Sequence, residues 1–398
     1  MRKLPYGRQC IEDDDIEAVV DVLKSDYLTT GPAVQRFEES LSKAVDAPYA
    51  VACANGTAAL HLAAMSIDLA PGDAVIVPAI TFVATANVAR FCGAEVVFAD
   101  VDPGSGLVTP DCLERALASI DSELSPAAVI PVHLNGQSCD MEAISKLAGQ
   151  HRLRVIEDAC HAIGTIIESN QTVVGDCRFS DAACFSFHPV KTVAMGEGGA
   201  VTTRDEAMAK RLSMLRNHGL TRDAADFENA ELARNQSGDV NRWYYEMQSL
   251  GFNYRSSDIN AALGEAQLRK LSRFVTRRRE LAAHYDGLLA GLDLPIRPVS
   301  RVPGQQPGWH LYAVQVDYSS SMFDRESLMQ RLADAGIYTQ VHYIPVYRQP
   351  YYRKRYGEIA LAGAEDYYKR VLALPLFPQM QLEDVEYVVE KLQAIFRD

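Results

Sequence analysis

The sequence holds no uninterrupted apolar stretch of about 18 residues, so nothing in it reads as a membrane span. In the opening MRKLPYGRQCIEDDD no apolar run follows the basic residues, which argues against a secretory signal. Positive charge is in deficit. The 39 Lys and Arg face 52 Asp and Glu, for a net charge of −13, and no basic stripe offsets it. Nucleic acid is thereby excluded as the main partner. A local basic or amide-rich pocket inside an acidic protein can still bind a small phosphate. The eight cysteines include no CxxC pair and no His/Cys metal spacing. Cys53, Cys92 and Cys184 sit in apolar runs and read as reduced core residues. Repeats and low-complexity linkers are also lacking. These absences leave the expectation of a cytoplasmic protein with no metal and no membrane or nucleic-acid partner.

What is present is a globular mixture, 48% hydrophobic and 23% charged, in a chain of 398 residues that is too long for one ordinary core. After an amphipathic helix with apolar positions at Ile16, Val19, Val20 and Leu23, short β-rich runs appear at 49–53, 74–78, 95–99, 129–133, 154–158, 183–187 and 199–203. Helical patterns at 57–65, 83–91, 141–148 and 206–215 separate several of them. Strands alternating with helices imply an α/β fold with a mostly parallel, seven-stranded sheet covered on both faces. The apolar continuity of VIVPA and AVIPV suits strands buried on both sides. From about Gly251 longer helices take over, across 256–271 and through RFVTRRRELAAHYDGLLAGL. Strand candidates follow at 309–316 and 339–343, then a last helix at 382–396. A large domain at 1–250 and a smaller C-terminal α/β domain at 251–398 are expected, with the polar segment 223–241 as a surface excursion.

Four segments carry chemistry. Asn55-Gly56-Thr57 stands between a strand and a helix, where free N–H groups and a hydroxyl at the positive end of the helix can hold a phosphate; taken alone, a simple helix cap explains it as well. In VIEDACH, Asp158 ends a buried strand at the edge where ligands of open α/β sheets collect. A carboxylate there needs a positive partner such as a protonated ring nitrogen, and capping or magnesium binding are the local alternatives. In FSFHPVK, Lys191 follows an apolar strand; desolvation lowers a lysine's pKa, and a neutral amine is what attacks an aldehyde. The alternative is a lysine that snorkels to solvent. The glycine pair of Glu197-Gly198-Gly199-Ala200 lets the chain turn closely beside it. Finally, Gly251-Phe252-Asn253-Tyr254-Arg255 precedes a helix, placing Asn and Arg as anion donors or as parts of a capped, exposed turn.

Together these segments resemble the DegT/DnrJ/EryC1/StrS family of sugar aminotransferases. The resemblance runs nearly end to end, through LTTGP, NGTAALH, ITFVATAN, PVHLNGQ, IEDACHAIG, FSFHPVK, GEGGAV, GFNYRSSDINAALGEAQL, WHLY, VHYIPVYRQPYY and LPLFP. It implies a fold-type I enzyme dependent on pyridoxal 5′-phosphate. Lys191 anchors the cofactor and shuttles the proton. Asp158 pairs with the ring nitrogen, His161 lies by the phenolic oxygen, and Phe82 stacks on the ring. Gly56, Thr57 and Ser186 hold the phosphate, with Asn253 reaching in from a second subunit, which makes a homodimer with shared sites. His342 and Tyr343 belong to the sugar-nucleotide pocket. YGRQ, FVATAN, FSFHPVK, RWYYEMQSLGFNYR and HYIPVYRQPYY are most similar to the pseudaminic-acid branch of the family. That branch implies a UDP-linked 4-keto sugar as acceptor and L-glutamate as donor. The chain departs from the branch's usual wording at NGTAAL, HLNGQ and VAMGEGG, which are phosphate-loop and pocket-lining positions. His188, a mark of the same branch, is expected as a buried, hydrogen-bonded side chain, and the aromatic stretches either bind uracil or pack a domain interface.

Overall fold

The computed structural model describes residues 3–397. Its centre is a seven-stranded sheet of β1 (Tyr49–Cys53), β2 (Asp73–Pro78), β3 (Glu95–Ala99), β4 (Ser125–Val129), β5 (Arg154–Asp158), β6 (Ala182–Ser186) and β7 (Gly199–Thr203). The order is β1-β7-β6-β5-β4-β2-β3. Only β7 runs antiparallel to its neighbours, pairing Gly199 with Cys53 on one side and with Ser186 on the other. The expected mostly parallel sheet is therefore present. Successive residues of a strand face opposite sides, and the two apolar clusters against the sheet divide them accordingly. Cys184 belongs to one cluster and its neighbours Ala183 and Phe185 to the other. Helices α3 (Gly56–Ser66) and α4 (Val83–Phe91) contribute to the first cluster; α2 (Pro32–Val45) and α8 (Asp258–Leu268) contribute to the second. A third cluster lies in the C-terminal part, around α9 (Leu271–Ala290), α13 (Leu382–Arg397) and the antiparallel strands β8 (Ile296–Pro298), β9 (Tyr312–Val316) and β10 (Val371–Leu374). Leu4 joins this cluster from the other end of the chain.

Several expected elements differ, each for a local reason. The run at 129–133 forms its strand earlier, at β4, because Pro131 has no N–H to continue the ladder. The segment 339–343 is not a strand. Gln340 makes one isolated bridge to Ala373, after which His342 and Tyr343 turn towards a cavity. The strand expected from Trp309 starts at Tyr312, since the His310 and Leu311 N–H groups are taken by the Asn135 carbonyl. The helical stretch 256–271 is two helices that break near Lys270, whose ammonium is 2.5 Å from Asp14 and 2.8 Å from Asp15. That polar anchor also sets the face of α1 (Asp13–Leu23): Asp15 and Val22 turn inward, while Ile16 and Leu23 stay exposed. The cysteines are all free, Cys53 and Cys184 buried as expected and Cys92 half-buried. Among the described residues no helix is long and apolar enough to cross a membrane.

Candidate active site

The C-terminal ends of β1, β2, β5 and β6 and the start of β7 share one edge of the sheet, and a cavity of about 510 Å³ opens along it. Its floor on one side is the N-terminus of α3. Asn55 caps this helix by accepting the Ala58 N–H at 2.9 Å. The N–H groups of Gly56 and Thr57 have no acceptor within the helix and lie at its positive end, facing an anion-sized space. Ser186, at the end of β6, closes in on this turn. A Cβ on Gly56 would stand 2.7 Å from the Ser186 Cβ, and one on Gly199 would stand 2.2 Å from the Asn55 carbonyl oxygen. These two glycines are there because strand and helix backbones approach too closely for any side chain. Gly56→Ala should destabilise the protein by about 1–3 kcal/mol, the usual cost of overpacking. Urea unfolding of the two proteins side by side checks this; an unchanged midpoint would mean that Ser186 moves aside freely.

Asp158 leaves the end of β5 with its backbone tied to the β4 extension, its N–H to the Pro131 carbonyl at 2.9 Å and its C=O to the His133 N–H at 3.1 Å. The side chain is buried. Its Oδ2 accepts from the Thr85 hydroxyl at 2.7 Å and its Oδ1 from the Cys160 N–H at 3.2 Å. Lys191 lies on the turn after β6, closed by hydrogen bonds from Phe187 N to Gly198 O and from Met195 N to Phe187 O, each 2.8 Å. Among the described residues its ammonium has no hydrogen bond or ion pair. Burial pulls its pKa below the ordinary lysine value, only partly offset by the nearby Cys160 and Asp158. Lys191 is half-buried and lines the cavity rather than standing fully in solvent. It presents an amine that is readily neutral in the same cavity as an anchored carboxylate.

A wall of histidines faces this pair. His161 packs its ring 4.4 Å from that of His310, and its Nε2 is 3.1 Å from the Tyr343 hydroxyl. Burial, with Lys191 adding to it, holds His161 and His310 neutral and pushes His342 down to about 3. The Nδ1 atoms of all three are buried without a partner among the described residues. Buried polar atoms are rarely left so, and this wall is built to receive hydrogen-bonding groups from a ligand. Phe82 stands at the mouth, 56% exposed, with its ring 6.1 Å from that of Tyr343.

Of the residues picked from sequence, Gly56, Thr57, Phe82, Asp158, His161, Ser186, Lys191, His342 and Tyr343 all line this one cavity. Asn253 does not; it is exposed and bridges Asn217. Arg255 is half-buried and donates to the Asn217 side chain at 2.6 Å rather than standing free. His188 lines the cavity but is exposed, contrary to the buried side chain expected. The aromatic stretches part company. Tyr347 and Tyr352 pack in the core, whereas Trp243, Tyr245 and Met247 are exposed, Trp243 at 69%. Tyr6, Thr81 and His310 also line the cavity and were not singled out. Their motifs, YGRQ, ITFVAT and WHLY, mark them only as parts of a longer likeness.

Residues 9–393 match the DegT/DnrJ/EryC1/StrS aminotransferase family. The chain is 39% identical to the spore coat polysaccharide biosynthesis protein SpsC of Bacillus subtilis (strain 168) over 397 residues, 99% of this chain and 97% of that protein. Among solved structures it is similar to Helicobacter pylori PseC, an aminotransferase involved in the biosynthesis of pseudoaminic acid. That likeness has a TM-score of 0.87 and 27% identity and covers 100% of both chains. Spr1654 from Streptococcus pneumoniae in its PMP-form gives a TM-score of 0.88 and 28% identity over 99% of each chain, and it has also been solved in a PLP-form.

Proposed function

The chain belongs to the DegT/DnrJ/EryC1/StrS aminotransferase family, and from that premise we propose that it transfers the amino group of L-glutamate to C4 of a UDP-linked 4-keto-6-deoxy-N-acetylhexosamine, giving UDP-4-amino-4,6-dideoxy-N-acetyl-β-L-altrosamine. It is a sugar aminotransferase of fold type I, dependent on pyridoxal 5′-phosphate. The observation that carries the reading is the half-buried, unpartnered amine of Lys191 opening with Asp158 and the α3 N-terminus onto one cavity.

The residues present fit the cofactor. Gly56 and Thr57 offer free N–H groups beside the Ser186 hydroxyl for a phosphate, in a cradle too close for a side chain on Gly56. Phe82 has an open face for a ring, and His161 has a buried, unpartnered nitrogen for an oxygen substituent. Bound there, the cofactor supplies an electron sink for the carbon that loses its proton. Lys191 would hold the cofactor through its amine and would move a proton between the carbons flanking the transferred nitrogen. Asp158 keeps a proton on the ring nitrogen. His342 and Tyr343 meet the sugar nucleotide, and the enzyme works as a homodimer in which Asn253 of the partner subunit completes the phosphate site. Support for the dimer comes from the exposed apolar side chains of Trp243, Met247 and Leu250, in the segment leading to Asn253.

A second reading is another nucleotide-sugar C4 or C3 aminotransferase of the same family. It is favoured by the higher identity to SpsC, 39% against 27% for PseC, and by the departures at NGTAAL, HLNGQ and VAMGEGG. One experiment separates the two. Converted to its amino form with glutamate and freed of donor, the protein should regain the absorbance of its aldehyde form rapidly with the L-arabino 4-keto epimer of the UDP-2-acetamido-2,6-dideoxy series, and not with the D-xylo epimer. Return with only the D-xylo epimer, or with neither, moves the enzyme to a different sugar and leaves the aminotransferase in place.

A further inference from the structure

The cavity wall behind Asp158 contains two hydroxyls that no part of the reading above uses. Thr85 is fully buried on the first turn of α4 and does not itself line the cavity. Its Oγ1 lies 2.7 Å from Asp158 Oδ2, 2.7 Å from Thr81 Oγ1 and 3.2 Å from the Phe82 carbonyl oxygen. A hydroxyl has one proton to donate. A carboxylate is the strongest acceptor of the three and is no farther than either competitor, so the Thr85 proton goes to Asp158. With that proton spent, the Thr81 hydroxyl must be the donor of the other short contact. The chain therefore runs in one direction, from Thr81 to Thr85 to Asp158. The Cys160 N–H holds the other oxygen of the carboxylate. With one donor fixed on each oxygen, the carboxylate cannot turn about its own axis, and its remaining lone pairs are left for the cavity. Thr81 and Thr85 flank Phe82 in sequence, so the turn that presents the ring-stacking face also aims the carboxylate.

We propose that Thr85 is a positioning residue, oriented by Thr81, that holds the Asp158 carboxylate against the cofactor's ring nitrogen. The inference rests on the role given to Asp158 above. The hydrogen bond fixes the direction of the carboxylate, so that its charge faces the ring nitrogen. Without it, the carboxylate turns away and the positive charge of the ring nitrogen would be less well stabilised. A less positive ring would move the pH midpoint of the bound cofactor's visible absorbance upwards. Lys191, Cys160, Cys184 and Tyr343 are the titratable groups that act electrostatically with Asp158 here, and none of them is altered by a change at Thr85.

The test uses the cofactor-loaded protein. Thr85→Val, which keeps the shape and removes the hydroxyl, should raise the pH midpoint of the visible absorbance by about one unit and slow the glutamate half-reaction about tenfold. The KM for glutamate should be unchanged, and Thr85→Ser should restore both values. Asp158→Asn serves as the reference. A shifted midpoint in Asp158→Asn with a wild-type midpoint in Thr85→Val overturns the proposal while leaving the role of Asp158 intact. Wild-type midpoints in both variants overturn that role and the proposal with it. Should Thr85→Val fail to hold cofactor, Thr81→Val breaks only the far link of the chain. Its midpoint should move the same way by a smaller amount, and an unmoved midpoint there also overturns the proposal.

Discussion

Replacing Lys191 with alanine should lower turnover by about 10⁴-fold, the upper end of what a positioned proton-transfer group contributes, and leave the fold intact. The fold is expected to survive because the Lys191 side chain makes no hydrogen bond or ion pair among the described residues, and its backbone N–H bond to the His188 carbonyl is kept by alanine. The turn that carries it is closed by backbone bonds at Phe187 and Met195 that alanine preserves. Relief from burying an amine should make the variant no less stable than the parent. In the proposed reaction, activity depends on the same burial for the opposite reason. Removing a cation from water disfavours its charged form, so the fraction of Lys191 that is neutral and nucleophilic at a given pH is larger than for an exposed lysine. Lys191→Arg sharpens the test, since a guanidinium keeps the charge and the length yet never supplies a neutral amine. Both variants should lose turnover alike in a coupled assay of 2-oxoglutarate release. Near-normal turnover by either would remove Lys191 from the centre of the reaction.

Asp158→Asn should cost about 10²- to 10³-fold in turnover, the range seen when one electrostatic stabiliser of a developing charge is removed. Asparagine has nearly the same shape, and its carbonyl oxygen can still accept from the Thr85 hydroxyl or the Cys160 N–H, so packing should change little. What it lacks is the negative charge that, in the proposed reaction, would keep a proton on the ring nitrogen. The loss should fall on the step that breaks the C–H bond of glutamate. It should therefore appear in kcat with little change in KM, and with a larger isotope effect for glutamate deuterated at Cα. Kinetics and an isotope effect like those of the parent protein would return Asp158 to a capping role.

The parts of this site that were legible in sequence are those whose signal is local. Gly56 and Thr57 follow a strand and open a helix, Asp158 ends an apolar run, and Lys191 follows another; each can be read within about ten residues of chain. His310 carries no such signal. It lies nearly 150 residues beyond His161, just before a strand, and its N–H is drawn aside by Asn135 while its ring packs on His161. The strand expected at 339–343 failed in the same way. Its β-branched and aromatic residues have the propensity, but a strand needs a neighbour to pair with, and only Gln340 finds one. Thr85 shows a third kind of silence, since a threonine in a helical turn reads as an indifferent residue until the carboxylate it meets is known.

By itself the sequence determined the alternation of strands and helices, the parallel sheet buried on both faces, and the placement of Asp158 at the end of one of its strands and of Lys191 just beyond another. These follow from periodicity and apolar continuity, which each segment carries within itself. Tertiary structure alone decided which distant side chains share the cavity, which face of α1 turns inward, and how the Asp158 carboxylate is aimed. The physical reason is common to all three. Burial, pKa and hydrogen-bond partners depend on atoms brought together from far along the chain, and only the fold brings Thr85 against Asp158 and Lys191 and His310 to the same cavity.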